Sequence, residues 1–277
     1  MNTLATGSAE DVLTAFSRAA VRAGRPSVVL LAEDLPAADR VTGARVRTHK
    51  LIQQLEEIGR LRPVRRGVYA VVSLTGVVDV DLLALVDVVT PRPYVVTAGR
   101  ALAYHGLSDQ FFRKTVVLHV RKLTDWEWRG ERTHYARLPS SRLWGGSDVR
   151  LTQRGRARMA TPARALLDSL AQPEWGVTLA QVTEALDIAV ADDPLFAADL
   201  AAQSARYGNA SVSRRLGLLI SYLHGTEMAA PFLPLRGTSR GPVLLSPSGE
   251  RDGPIDKDWG IRVNANLDQL SDHRTGG

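Results

Sequence analysis

Residues 45–69 read RVRTHKLIQQLEEIGRLRPVRRGVY, and this stretch decides the predicted fold of the N-terminal part of the chain. Its first half has apolar residues at helical spacing and predicts a helix over 44–58, with a buried stripe of Leu51, Leu55 and Ile58. Its second half predicts a hairpin with its tip at 65–67, where Gly67 suits a tight turn. A basic helix followed directly by a two-stranded hairpin is typical of the end of a winged helix-turn-helix.

The residues before this stretch predict the remaining elements of such a domain. These elements are a helix that ends at Gly24 and Pro26, a short strand over 27–31, and a brief helix over 32–38. We therefore predict a winged helix-turn-helix DNA-binding domain over residues 1–75. An unrelated small α/β unit with the same order of elements is the alternative.

Residues 76–277 predict a larger α/β domain. The patterns favour strands over 115–120, 133–138, 148–151, 243–245 and 259–263. They favour helices over 79–89, 97–105, 162–171, 179–190, 195–207 and 211–223. The predicted fold class is mixed α/β: an N-terminal winged helix-turn-helix followed by a larger α/β C-terminal domain.

Charge is unevenly distributed along the chain, whose formal net charge is +6. Residues 40–66 contain eight basic and two acidic side chains, and residues 100–164 contain fourteen and five. Residues 165–235 reverse the balance, with three basic and eight acidic side chains. Two basic zones favour an anionic partner, although such a zone can also be an ordinary solvated face.

The predicted helix over 44–58 is the second helix of the helix-turn-helix. Its side chains suit contacts with base edges in the major groove. Arg45 and Lys50 can donate to guanine and Gln53 can pair with adenine, whereas Glu56 and Glu57 come one turn later. The hairpin arginines can reach phosphates or the minor groove. The candidate DNA-contact residues are therefore Arg45, Arg47, His49, Lys50, Gln53, Arg62, Arg65 and Arg66.

Five segments, in order along almost the whole chain, resemble AbiE-type antitoxins, the antitoxins of type IV toxin–antitoxin systems that also occur in abortive phage infection operons. The segments are Leu55–Leu61 with Arg65–Tyr69, Tyr94–Thr97 with Ala101–Leu107, Met159–Asp168, Val212–Leu219 and Trp259–Asn264. The resemblance rests on the ordered set of segments.

The resemblance implies an antitoxin-type C-terminal domain and a protein that represses its own operon. It also implies two partners: double-stranded DNA carrying inverted repeats of its own promoter, and a cognate nucleotidyltransferase-like toxin. A basic face on the C-terminal domain is a further implication, which residues 100–164 would suit. The residues that neutralise toxins in this family form no sharp motif, and none is transferred to this chain.

Enzyme patterns are weak, and we predict no catalytic residue, metal or cofactor. Residues 237–241 match G-x-S-x-G, but the strand-like residues after them do not suit a nucleophile elbow. Asp79 and Asp81 form a D-x-D pair that could hold Mg²⁺ in a nucleotidyltransferase, or could simply start a helix. The chain lacks cysteine, which excludes disulfides and a cysteine nucleophile, and its six histidines have no zinc-site spacing.

We predict a cytoplasmic protein without a membrane partner. Glu10 and Asp11 lie where a secretory signal would have basic charge, and charged residues interrupt the most apolar stretch, 67–99. The hypotheses are therefore a DNA-binding antitoxin, a winged-helix regulator with a ligand-sensing C-terminal domain, or an enzyme that uses Asp79 and Asp81.

Overall fold

The structure of the chain is a computed structural model that describes residues 6–32, 45–151, 155–238 and 241–272, without the side chains of 6–12 and 45–49. Two compact units emerge from the contacts within the chain. The first comprises residues 1–92, 126–130 and 148–158, and the second comprises residues 93–125, 131–147 and 159–277. The predicted boundary after residue 75 stays a prediction.

The secondary structure mixes helices and strands along the described residues. The helices are α1 (Thr6–Arg22), α2 (Arg45–Glu57), α3 (Leu82–Val89), α4 (Gly99–Tyr104), α5 (Pro162–Ala171), α6 (Leu179–Asp192), α7 (Phe196–Tyr207), α8 (Ala210–His224), α9 (Thr226–Ala229) and α10 (Leu267–Leu270). The strands are β1 (Val29–Leu31), β2 (Leu61–Arg65), β3 (Val68–Val71), β4 (Tyr94–Thr97), β5 (Lys114–His119), β6 (Trp126–Trp128), β7 (Glu131–Arg137), β8 (Gly146–Arg150), β9 (Arg156–Ala160), β10 (Val243–Leu244), β11 (Ile255–Asp256) and β12 (Ile261–Arg262). The predicted mixed α/β fold class is confirmed.

A three-stranded antiparallel sheet in the order β1-β3-β2 organises the first unit. The sheet and the helices α1 and α2 enclose one apolar core of Leu13, Phe16, Leu30, Ile52, Leu55 and Leu61. Complete burial of each such side chain contributes about 1.5–3 kcal/mol. The predicted helix over 32–38 lies outside the described residues, so the complete winged helix-turn-helix stays a prediction.

The buried face of α2 differs from the predicted stripe in one residue. Ile52 is 5% exposed and belongs to the core, whereas Ile58 is 44% exposed. The helix ends at Glu57, and the chain then turns at Gly59, whose φ is +72°. Because Ile58 lies beyond the last helical turn, the angular spacing of the helix no longer places it beside Leu55.

The helix α3 begins where the D-x-D pair was noted in the sequence. The carboxylate of Asp81 accepts a hydrogen bond from the backbone N–H of Leu83 at 2.7 Å and caps the helix. This geometry favours the helix-start interpretation of Asp81, because a capping carboxylate satisfies an otherwise unpaired N–H group.

The strands β7, β5 and β4 lie wholly in the second unit, in that order, and the last two residues of β9 continue the sheet beside β4. β5 runs parallel to β7 and antiparallel to β4, and β4 is parallel to β9, where Val96 lies opposite Met159. The helix α5 follows β9 directly. Thr161 caps it and Pro162 occupies its first turn, which is a strong local helix-start signal.

The C-terminal segment of the second unit packs on α8. This segment forms a small sheet in the order β10-β12-β11. Trp259 lies between β11 and β12, and its ring covers Gly217 of α8. A Cβ atom at Gly217 would lie 2.1 Å from the indole, so only glycine permits this approach. Within the described part of the chain, no helix is sufficiently long and apolar to cross a membrane.

Candidate nucleic-acid interface

The exposed face of α2 carries two of the predicted DNA-contact residues. Lys50 and Gln53 are exposed, and they lie three residues apart on the side away from the buried Ile52 and Leu55. Arg45, Arg47 and His49 belong to the first turns of α2, but their side chains lie outside the described residues. The structure therefore brings Lys50 and Gln53 together and leaves the other three as predictions.

The three predicted wing arginines, Arg62, Arg65 and Arg66, are all exposed on the hairpin of β2 and β3. The register shifts between Pro63 and Arg65, which marks a β-bulge just before the tip. At the tip, Gly67 has a φ of +76°, and its carbonyl accepts a hydrogen bond from the N–H of Ala32 at 2.8 Å. The hairpin is thus fixed to the end of β1 while its arginines point to solvent.

The exposed face of α2 and the hairpin of β2 and β3 carry mostly cationic side chains. Among the described residues, no ion pair involves Lys50, Arg62, Arg65 or Arg66. The two carboxylates of α2, Glu56 and Glu57, lie at the C-terminal end of the helix. Burial raises the pKa of the Tyr69 hydroxyl on β3, and the charge of Glu56 raises it further.

This arrangement suits a DNA duplex. A helix that presents an ammonium and an amide on one exposed face can enter the major groove and read base edges. Guanidinium groups on an adjacent hairpin can contact the phosphate backbone, which orients the protein and adds salt-dependent affinity. We name the surface formed by Lys50, Gln53, Arg62, Arg65 and Arg66 the basic surface.

The basic zone over 100–164 is partly neutralised within the protein. Ion pairs join Arg100 to Glu131, Arg132 to Asp125 and Arg164 to Asp168. Exposed cations remain in the second unit at the carboxyl ends of the parallel strands β5 and β7, namely Arg121, Lys122 and Arg137. The zone therefore combines structural ion pairs with surface charge, which the sequence count could not separate.

A buried polar network in the second unit was not predicted from the sequence. Asp168 and Arg164 are 1% and 2% exposed, and their side chains pair at 2.9 Å one turn apart on α5. Asp168 also accepts hydrogen bonds from Thr97 at 2.7 Å and from Tyr207 at 3.1 Å. Burial raises the pKa of Tyr207, and the carboxylate of Asp168 raises it further, so the hydroxyl stays a donor.

Arg164 also fixes the loop between β7 and β8. Its guanidinium donates to the carbonyls of Arg142 and Trp144, each at 2.9 Å, and lies 4.6 Å from the centre of the Trp144 ring. Two segments that carry the family resemblance meet here, because Thr97 bonds Asp168 and His105 bonds the carbonyl of Ala160 at 2.8 Å. The only sequence signal was a charged pair at i, i+4 inside an apolar helix.

Asp125 gives the second unit a pH-dependent contribution to stability. Burial alone raises its pKa, but hydrogen bonds from the His134 ring, the Tyr135 N–H and Arg132 lower the pKa to about 2. A carboxyl whose pKa falls on folding stabilises the protein above its unfolded pKa and loses that effect as the pH falls. We therefore expect this contribution to disappear between about pH 4 and pH 2.

Chemical denaturation of the wild type and of Asp125→Asn across that pH range measures the effect. The difference in unfolding free energy between the two proteins should be constant near neutral pH and should shrink on acidification. A difference that does not change with pH would contradict the assignment.

No family model matches the chain, and no curated protein matches it in sequence. Among solved structures, the chain is similar to the RV2827C protein from Mycobacterium tuberculosis, known from a crystal structure. The two share 16% identity with a TM-score of 0.65, over 96% of this chain and 95% of that chain. At this identity the likeness shows the fold alone.

Proposed function

We propose that this chain is a DNA-binding antitoxin that represses its own operon and counteracts a nucleotidyltransferase-like toxin. The observation that carries the DNA-binding half is the basic surface, where a helix face with Lys50 and Gln53 lies in the same compact unit as a hairpin bearing three exposed arginines. The antitoxin half rests on the ordered resemblance of five segments to AbiE-type antitoxins.

Titration of the purified chain with its own upstream DNA tests the first half. We expect tighter binding to a duplex that carries the promoter's inverted repeats than to a scrambled duplex of equal length. If Arg62, Arg65 and Arg66 each neutralise one phosphate, the slope of log affinity against log salt is about −2.7. Equal affinity for both duplexes and a slope near zero would contradict DNA binding by this surface.

The antitoxin half has its own test, which does not depend on DNA affinity. Expression of a nucleotidyltransferase-like protein encoded beside this chain should arrest growth, and co-expression of this chain from an unrelated promoter should restore it. If growth stayed arrested on co-expression while promoter binding was intact, the chain would be a DNA-binding regulator without an antitoxin role.

A further inference from the structure

A basic cleft of about 480 Å³ opens in the second unit where the C-terminal segment meets α8. Three cationic residues line it: Arg214 from α8, Arg236 from the seven-residue 3-10 helix after α9, and Lys257 after β11. Asp258 is the one acidic residue that lines it among the described residues. The cleft therefore has a surplus of positive charge in a concave site, where fields are focused.

Backbone carbonyls help to hold the two arginines in place. Arg214 is 5% exposed, and its Nε and Nη1 donate to the carbonyls of Arg236 at 2.6 Å and Gly241 at 3.3 Å. Arg236 donates to the carbonyls of Leu233 and Asp258. Each of these acceptors is an uncharged backbone carbonyl, so the hydrogen bonds of Arg236 orient its guanidinium group without neutralising its charge.

The wall of the cleft packs closely against Arg214. Gly260, with a φ of +61°, lies beside Arg214, and a Cβ there would come 3.3 Å from its Nη1. The buried Trp259 forms part of the lining and rests on Gly217, which fixes the segment that carries Lys257 against α8. The volume falls within the range of about 300–1,000 Å³ that is typical of small-molecule sites.

We propose that this cleft binds a small molecule with a free terminal phosphate or diphosphate group. Guanidinium groups match the oxygens of a phosphate in geometry, and a flexible ammonium supplies a further donor. Arg214 is too buried to meet a phosphate on the outside of a duplex, whereas a free phosphate can enter the cleft. Such binding goes beyond DNA recognition and gives the C-terminal part of the chain a ligand site of its own.

Isothermal titration of the full chain with inorganic phosphate and pyrophosphate, in chloride buffer of matched ionic strength, tests the proposal. We expect saturable binding, tighter for pyrophosphate. Lys257→Ala and Arg236→Gln should each weaken it about tenfold, the loss that follows from removing one charge-assisted hydrogen bond. Lys122→Ala is the matched control, because Lys122 is an exposed lysine of the same unit outside the cleft.

Three results would overturn the proposal. They are the absence of saturable binding, equal affinity of Lys257→Ala and the wild type, and displacement of pyrophosphate by a short DNA duplex. Lys257 is exposed, so its replacement tests the cleft without disturbing the core. Promoter binding measured on the same variants separates this site from the basic surface.

Discussion

Replacement of Arg65 and Arg66 by alanine is expected to weaken binding of this protein to every DNA duplex by about 100-fold. Both side chains are exposed at the hairpin tip, and neither forms an ion pair within the described residues. Each phosphate contact contributes about 1.4 kcal/mol and one unit of salt dependence, so the slope should fall by about 2. Fluorescence anisotropy at several salt concentrations measures both quantities.

Two comparisons make this result specific. Arg206→Ala/Arg251→Ala removes the same charge from exposed arginines outside both the basic surface and the basic zone over 100–164, and should leave the affinity within about twofold, because salt screens charges that do not contact the DNA. Gln53→Ala should instead reduce discrimination at one base pair by about 1–3 kcal/mol with little change in the salt slope. If Arg65→Ala/Arg66→Ala and the control double variant gave the same affinity and the same salt slope, the wing would have no role in binding.

Replacement of Asp168 by alanine is expected to destabilise the second unit by about 3–5 kcal/mol. The change leaves the guanidinium of Arg164 buried without its carboxylate and removes the acceptor of Thr97 and Tyr207. Since removal of one partner exposes the full desolvation cost of the other, the loss should exceed that of an ordinary surface pair. Denaturant unfolding followed by circular dichroism provides the measurement.

A double variant separates the cost of the unpaired charge from the cost of lost packing. Arg164→Met/Asp168→Leu removes both charges and should recover much of the stability lost in Asp168→Ala. Asp192→Ala, at an exposed position of α6, should change stability by less than about 0.5 kcal/mol. A loss below about 1 kcal/mol for Asp168→Ala would show that the pair is not essential to the core.

The long helices were predictable because their signals are local. The predicted helix over 162–171 coincides with α5, where Thr161 and Pro162 mark the start. The predicted helix over 211–223 falls within one residue of α8, which Asn209 caps. Strand β4 was missed, because all four of its residues are buried and the chain there shows no alternation of apolar and polar residues.

The candidate site was predictable only in part. Exposure of Lys50, Gln53 and the wing arginines agrees with their positions opposite an apolar stripe or on the outward side of a hairpin. The burial of Ile52 in place of Ile58 was not predictable from spacing alone, because it depends on where the helix stops. The neutralised arginines of the basic zone could not be separated from the free ones, since a charge count has no information on distance.

The sequence by itself determined the positions of the long helices and of the basic hairpin, because caps, turns and periodicity act between residues close in the chain. Only the tertiary structure decided that Thr97 and Asp168, 71 positions apart, share a buried hydrogen bond. It also decided that Arg214 donates to the carbonyl of Arg236, 22 positions away, at the wall of a cleft. Such contacts depend on how helices and strands pack, and burial gives a charged side chain its structural role only after that packing has excluded water.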